Sequence, residues 1–442
     1  MTSRCRPPRP RGCWIKEATA ATAARRAALE ILRAVRAGAP LADARDRHLA
    51  GLAERDRRLA YELSAGVLRR QRELDTALEL DRADPRLHDV LRLGAYQLRW
   101  LTRVPSHAAV ATSVELARQT VGEGSTGYVN RTLRDLLRET GNEKRETGTH
   151  PAWLVERWRS RFGAPETERL LAWNDTRPPL IIQPTRSDRD SLRHRFQEAG
   201  LEVRDAPFCV GLEIRPGTHV SRVPFPANLP GFADGAWIVQ DPAHALVTRF
   251  ARIPEGSLVY DACAAPGGKA VALQSLGARV IAGDARAVRL PRLADTTRRA
   301  GVAIHCLAAD LEATPLRSAS LDAVLVDAPC SATGTMRRHP DARWRVTPTV
   351  FARAAARQSR LLAAAAALVR PGGLLVYATC SLEPEENEHV VESFLTRNPE
   401  FSRARQPAGV PAELLTAAGD FQSLPQRHGI DGAYAARLVR AS

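Results

Sequence analysis

Two short segments of this chain place a thiol where it could react: Asp327-Ala328-Pro329-Cys330-Ser331 and Thr379-Cys380-Ser381. Each cysteine follows an apolar run and is itself followed by serine. A thiolate can add to an electron-poor ring carbon and so split one difficult substitution into easier steps. Carbon 6 of cytosine is such an acceptor. Once it is bonded to sulfur, carbons 4–6 become an enamine and carbon 5 can take a methyl group. The proton on carbon 5 must then leave, and a second thiolate or another base would serve. Two cysteines in matched surroundings fit one attack and one release, and the residues alone leave open which does which. Asp327 could hydrogen-bond the cytosine amino group or a protonated ring nitrogen 3. Taken singly, either cysteine could be an inert core residue, because free Cys is among the most buried residue types. Cys263 and Cys306 are read that way, as packing residues.

An open, mostly parallel sheet would bring the two segments together. From residue 257 strand and helix alternate. Strands are expected over Ser257–Asp261, Ala278–Asp284, Ala303–Asp310, Leu321–Asp327 and Gly373–Cys380, with helices over Arg286–Ala300 and Thr349–Arg370. Ligands of such sheets lie outside the carboxyl ends of the strands, and Asp261, Asp284, Asp310, Asp327 and Cys380 all fall at such ends. The first strand runs into Cys263-Ala264-Ala265-Pro266-Gly267-Gly268-Lys269, whose small residues let backbone approach a ligand closely. The G-x-G-x-x-G spacing of dinucleotide folds and the G-x-x-x-x-G-K-[ST] phosphate loop are both absent, which argues against nicotinamide and ATP. Asp284 is placed to accept hydrogen bonds from ribose hydroxyls, and Asp310 could contact an adenine amino group. Asp284 could equally cap the helix that follows it.

Upstream the pattern differs. Residues 1–17 are Arg- and Pro-rich and read as a disordered basic tail. Residues 18–140 carry apolar residues at helical spacing throughout, with breaks at Gly38–Pro40, Asp84–Pro85, Val104–Pro105 and Gly122–Gly127; this is an all-α domain of five to seven helices. Residues 141–149 are polar and read as a linker. A helix over Pro151–Trp173 and short strands at Leu180–Gln183 and Leu212–Ile214 flank a helix at Asp188–Ala199, giving a small α+β module over 150–250. The sheet with the reactive segments occupies 251–442.

The net charge of +15 is carried almost wholly by arginine, the lysines being Lys16, Lys144 and Lys269. Such an excess favours a polyanionic partner, most simply nucleic acid. No run of about 18 apolar residues exists, so no membrane span is expected. The 7 cysteines form no C-x-x-C pair and no Cys/His cluster at zinc spacing, so no metal is expected, and free thiols suit a reducing cytoplasm.

The segments DACAAPGGK (261–269), VLVDAPCSATGTMRRHPD (324–341) and LLVYATCSLEPEENE (374–388) resemble the Nol/Nop/Sun family of RNA cytosine-5 methyltransferases. The resemblance continues upstream in YELSAGVLRRQRELD (61–75), LRLGAYQLRWLTRVPSHAAVATSVELAR (91–118) and GYVNRTLRDLL (127–137), which look like the NusB-like RNA-binding domain of bacterial Sun proteins. It implies a Rossmann-like α/β methyltransferase domain preceded by an all-α NusB-like domain and the α+β module. It also implies S-adenosylmethionine as cofactor and 16S ribosomal RNA as substrate, in a cytoplasmic and monomeric protein. By this resemblance Cys380 is the nucleophile and Cys330 assists release, and the cofactor contacts fall on Cys263, Ala264, Ala265, Pro266, Gly267, Gly268, Lys269, Asp284, Asp310 and Asp327. The chain departs from the family pattern at Ala433, where an aromatic is usual, at Gln240–Ala243, and at Asp310, which sits in Ala-Asp-Leu. Arg337, Arg338, His339 and Arg343 are expected to hold RNA backbone near the target. The competing reading is a non-catalytic RNA-binding or ribosome-assembly factor of the same fold. A DNA cytosine methyltransferase, with its Pro-Cys nucleophile, would leave Cys380 unexplained.

Overall fold

The computed structural model describes residues 11–138, 148–220, 222–404 and 409–442, with side chains described from residue 22 onward. The chain divides into two compact units: one runs to Asp175 and includes His339–Arg345, the other holds Thr176–Arg338 and Val346–Ser442.

The first unit is all helical. In chain order it comprises α1 (Arg11–Arg36), α2 (Leu41–His48), α3 (Glu54–Arg69), α4 (Gln71–Ala77), α5 (His88–Trp100), α6 (Ser106–Thr120) and α7 (Thr126–Arg138), then α8 (Ala152–Phe162) and α9 (Ala164–Asp175). Leu29, Ile31, Leu32, Leu63, Val67, Leu91, Leu93 and Leu133 fill one core, as their helical spacing requires. Residues 1–10 of the expected tail lie outside the described residues. The rest of that tail, from Arg11, is helical instead: once the alanine-rich run behind it has nucleated a helix, each added residue costs little. The expected linker lies outside the described residues up to position 147. The single helix expected over Pro151–Trp173 is broken in two at Gly163, whose φ of 79° no helix accommodates.

The second unit opens with a four-stranded antiparallel sheet of order β2-β3-β1-β4, made of β1 (Leu180–Pro184), β2 (Glu202–Asp205), β3 (Leu212–Arg215) and β4 (Trp237–Val239). Between β1 and β2, α10 (Arg189–Glu198) starts where Asp188 accepts from the amides of Asp190 and Ser191, and it lays Leu192 and Phe196 on Ile182 and Trp237. After α11 (Pro242–Ala251) the chain enters the main sheet: β5 (Leu258–Asp261), α12 (Gly268–Ser275), β6 (Arg279–Asp284), α13 (Leu290–Ala300), β7 (His305–Ala308) and β8 (Leu321–Asp327). A short α14 (Ala342–Arg345) belongs to the helical unit. Then come α15 (Pro348–Leu368), β9 (Val369–Thr379), α16 (Glu388–Arg397), β10 (Phe401–Arg403), β11 (Phe421–Ser423), α17 (Pro425–His428) and β12 (Ala433–Arg440).

The strand order is β10-β12-β9-β8-β5-β6-β7, with β11 beside β12. Strands β9, β8, β5, β6 and β7 are mutually parallel, and β12 and β10 extend the sheet antiparallel. Strand β8 shows why the parallel part sits inside: Val324 and Val326 enter a core with Leu361, Leu362 and Ala365 of α15, while Ala323 and Leu325 face Ala270, Leu273 and Leu293. A strand covered on both faces needs apolar residues at every position. Strand β7 is the parallel edge and ends at Ala308, short of the expected Asp310. Cys306, on this edge strand, is exposed and not a packing residue. Ala433, lacking the usual aromatic ring, is still buried and pairs with Ser423.

Because β5 leads to β6 and β7 on one side and the chain then crosses back to β8 and β9 on the other, a crevice opens at the carboxyl ends of the neighbouring β5 and β8.

Candidate active site

Strands β8 and β9 are parallel neighbours in register, with Asp327 opposite Ala378, so their carboxyl ends deliver Cys330 and Cys380 to one place. The two sulfurs are 3.1 Å apart. The amide of Cys380 also donates to the Cys330 sulfur at 3.3 Å. Both cysteines are half-buried. The hydrogen bond to Cys380, then burial, then the neighbouring charges of Cys380 and Glu386 raise the Cys330 thiol well above the ordinary cysteine range. These causes favour the protonated form of Cys330, and either sulfur can donate in the contact.

The serine after each cysteine has a structural partner in the other loop: Ser331 Oγ and Ser381 Oγ are 3.1 Å apart. Thr333 Oγ1 accepts from the Leu382 amide, and the Gly334 amide donates to the Cys380 carbonyl. Gly432 donates its amide to the Gly334 carbonyl, and a Cβ on Gly334 would lie 2.5 Å from the Gly432 oxygen, so this crossing tolerates no side chain. Asn387 accepts from Thr379 Oγ1 at 2.6 Å and donates to the Ser381 carbonyl at 2.9 Å. Residue composition gave no signal for Glu386 and Asn387, which the PEENE run contains without distinguishing its three glutamates.

On the other side of Asp327 lies the expected cofactor loop. Gly267, at φ 107°, turns β5 into α12, and a Cβ there would meet Leu293 at 2.9 Å. Lys269, on the first turn of α12, is buried and donates to Asp327 Oδ2 at 2.6 Å and to His244 Nδ1 at 3.2 Å. Burial would lower its pKa, but Asp327 and Asp261 outweigh that and keep the ammonium charged. Asp261 is wholly buried; burial first, and the charge of Asp327 second, push its carboxyl up to about 7. Burial, Asp261 and Asp327 likewise push the Cys263 thiol up, so it is no nucleophile at neutral pH.

Neither carboxylate oxygen of Asp261 has a hydrogen-bond partner among the described residues. A buried carboxylate without a donor is costly, and a cationic ligand group would satisfy it. The first-turn amides of α12 favour an anionic one. S-adenosylmethionine carries both kinds of group, and the residues present fit it. Asp284, buried at the end of β6, accepts from the Arg286 amide at 2.8 Å, so it does shape the following turn. Asp310 is exposed and accepts from the Glu312 amide at 3.1 Å. Among the described residues no hydrogen bond joins Asp310 to the Asp261–Lys269–Asp327 group.

Of the four expected RNA contacts after the Pro-Cys segment, Arg338 and Arg343 are paired with carboxylates. Arg338 is locked between Asp241 Oδ2 at 2.6 Å and Asp431 Oδ2 at 2.7 Å. Arg343 is fully buried in the helical unit, where it donates to Asp175 Oδ1 at 2.7 Å and to the Asn174 carbonyl. Arg337 is half-buried and donates to the Arg177 carbonyl, and His339 is half-buried as well. Arg343 is buried and Arg338 half-buried, and a guanidinium taken out of water is stabilised by such carboxylate pairs.

Known proteins are similar to this chain in sequence and in fold. A family model described as 16S rRNA methyltransferase RsmB/F matches residues 251–439. The NusB family matches residues 22–138, and a ferredoxin-like domain of RsmF/B-like methyltransferases matches residues 150–221. The probable ribosomal RNA small subunit methyltransferase B of Synechocystis is 35% identical over 418 residues, 87% of this chain and 92% of the relative. The ribosomal RNA small subunit methyltransferase B of Salmonella typhi is 33% identical over 410 residues, 88% of this chain and 92% of the relative. Among solved structures, PH0851 superposes with a TM-score of 0.79 at 25% identity, over 94% of this chain and 98% of its own. NSun6 from Pyrococcus horikoshii, solved with SFG, shares the fold at a TM-score of 0.56 and 20% identity over 66% of this chain and 98% of its own.

Proposed function

Because the chain belongs to the RsmB/F family of 16S ribosomal RNA methyltransferases, we propose that it methylates carbon 5 of a cytosine in 16S ribosomal RNA, with Cys380 as nucleophile and Cys330 as the release residue. The observation that carries the reading is the thiol pair, 3.1 Å apart, beside the Lys269–Asp327 ion pair at the carboxyl ends of β8 and β9. S-adenosylmethionine, held by the loop from Cys263 to Lys269 with Asp261 and Asp284, supplies the methyl group.

In this reading Cys330 donates its S–H to the Cys380 sulfur, and Cys380 attacks as the thiolate. That thiolate bonds to ring carbon 6, and the displaced electron pair reaches carbon 5 through the enamine. Asp327 Oδ2 is taken by Lys269, and Oδ1 remains to accept from the cytosine amino group. Once Cys380 is bonded to carbon, it no longer accepts from Cys330 and no longer carries charge. Those are two of the causes that keep Cys330 protonated, so Cys330 becomes easier to ionise at the step that needs a base. Its thiolate takes the proton from carbon 5, the carbon–sulfur bond breaks, and Cys380 leaves as thiolate. The target base must leave its stack to reach the pair, so a cytosine in a loop or at an exposed helix end is expected.

Bisulfite sequencing of 16S ribosomal RNA from cells with and without this gene tests the reading. One cytosine should resist conversion only when the gene is present; identical conversion at every position would sink it. For the cofactor, Asp284→Ala is expected to weaken S-adenosylmethionine binding roughly 10- to 150-fold, the loss of about 1.5–3 kcal/mol for charge-assisted hydrogen bonds. Calorimetric titration measures this, and an unchanged Kd would remove Asp284 from the cofactor site.

A further inference from the structure

The reactive sulfurs sit on two loops that no covalent bond joins, yet they approach within 3.1 Å. We propose that Glu386, braced by Gln358, is a positioning residue of the reaction, its one carboxylate tying the Cys330 loop to the Cys380 loop and setting the spacing of the two sulfurs. Oε2 of Glu386 accepts from the Ser331 amide at 2.9 Å, one residue beyond Cys330. Oε1 accepts from Ser381 Oγ at 2.8 Å, one residue beyond Cys380. Gln358 of α15 donates to Oε2 at 2.9 Å and to the Pro329 carbonyl, one residue before Cys330, at 3.0 Å. Tyr377 of β9 fixes the backbone of Glu386 by donating to its carbonyl at 2.5 Å.

Glu386, Gln358 and Ser381 are all buried. A carboxylate taken out of water is expensive and is repaid only by well-made hydrogen bonds; an apolar residue would fill the same space at no such cost. Burial pushes the Glu386 carboxyl up, and the bonds from Ser331, Ser381 and Gln358 oppose it. Each of those donors belongs to a catalytic loop or to its brace. Glu386 touches neither substrate nor sulfur in this scheme and acts through the loops.

The inference rests on the assignment of Cys330 and Cys380 as the reacting pair, and its test reads the pair directly. The variants are Glu386→Leu, Glu386→Gln and Gln358→Met in the full chain. The Gln amide can still accept from the Ser331 amide and donate to Ser381 Oγ. Diamide, which oxidises two adjacent thiols to a disulfide while its azo group is reduced to the hydrazine, reports the spacing, because a disulfide forms only when the Cβ atoms approach closely. In Glu386→Leu, closure of the Cys330–Cys380 pair should slow at least ~10-fold and kcat for 16S ribosomal RNA should fall about 100-fold, with both KM values within about threefold, as a displacement near 1 Å at a reacting centre does. Glu386→Gln should recover both readouts to within about fivefold of wild type, and Gln358→Met should lie between.

Wild-type closure and turnover in Glu386→Leu would overturn the proposal. So would Glu386→Gln as impaired as Glu386→Leu, which would put the charge itself in the chemistry. If Glu386→Leu does not fold, wild-type behaviour of Gln358→Met overturns it. A wild-type protein that closes the disulfide yet methylates no cytosine would instead bring down the proposed function and leave the tie intact.

Discussion

Replacing Cys380 with alanine is expected to remove methyl transfer to 16S ribosomal RNA, by about 10⁴-fold or more, and to remove every covalent protein–RNA species. The reason is that no other group can take its place. Cys330 loses its bond to Cys380 in this variant, but burial and the charge of Glu386 still push its thiol up. Cys263 stays a thiol next to Asp261 and Asp327. A loss of 10⁴ corresponds to about 5 kcal/mol of barrier, the scale on which nucleophile removal acts in enzymes that work by covalent catalysis. Removal of one half-buried sulfur takes no hydrogen bond from the Asp261–Lys269–Asp327 group, so cofactor affinity should stay within about twofold. The measurement is transfer of labelled methyl from S-adenosylmethionine, with denaturing gels of the same reactions. An RNA adduct that survives in Cys380→Ala would reverse the roles of the two cysteines.

Replacing Cys330 with alanine is expected to act in the opposite sense: the adduct accumulates. Attack and methyl transfer need Cys380 and the cofactor, and both remain. Release needs a base at carbon 5, and the thiol 3.1 Å from the nucleophile is gone. Loss of a positioned general base costs about 10²- to 10⁴-fold, enough to hold the protein on its RNA through a denaturing gel, with the methyl label in the complex. Turnover should stop near one methyl per protein. If Cys330→Ala instead turns over at the wild-type rate with no adduct, another group removes the proton. An adduct that lacks the methyl label would place Cys330 before methyl transfer.

How far the sequence reached can be judged residue by residue. The strand ends at Asp261, Asp284 and Asp327 were legible because parallel strands buried on both faces read as apolar runs that stop abruptly at a polar residue. Asp310 lies two residues beyond the end of β7, the edge strand, whose alternation is interrupted by exposed residues. The short antiparallel strands β10, β11 and β12 went unread, because runs of 3 residues in β10 and β11 carry too little alternation and β12 is buried along most of its length. The serines after the cysteines were visible as a matched pair, though not their contact with each other or with Glu386.

The chemistry is thus written locally. A thiol after a strand, an acid before it and a glycine turn are properties of a few consecutive residues, and the strand that carries them decides which way they face. Which thiol donates to the other, which glutamate ties the loops, and which arginines are free are properties of partners far apart in the chain. Arg338 reads as one more cation in a basic run, and Asp241 and Asp431, brought in from elsewhere in the second unit, make it a half-buried brace. Arg343 reads the same way and is buried against Asp175. A charge on a local stretch has no fixed meaning until folding decides whether water or a carboxylate faces it. A cysteine at the end of a central parallel strand has already had that decided by its neighbours in sequence.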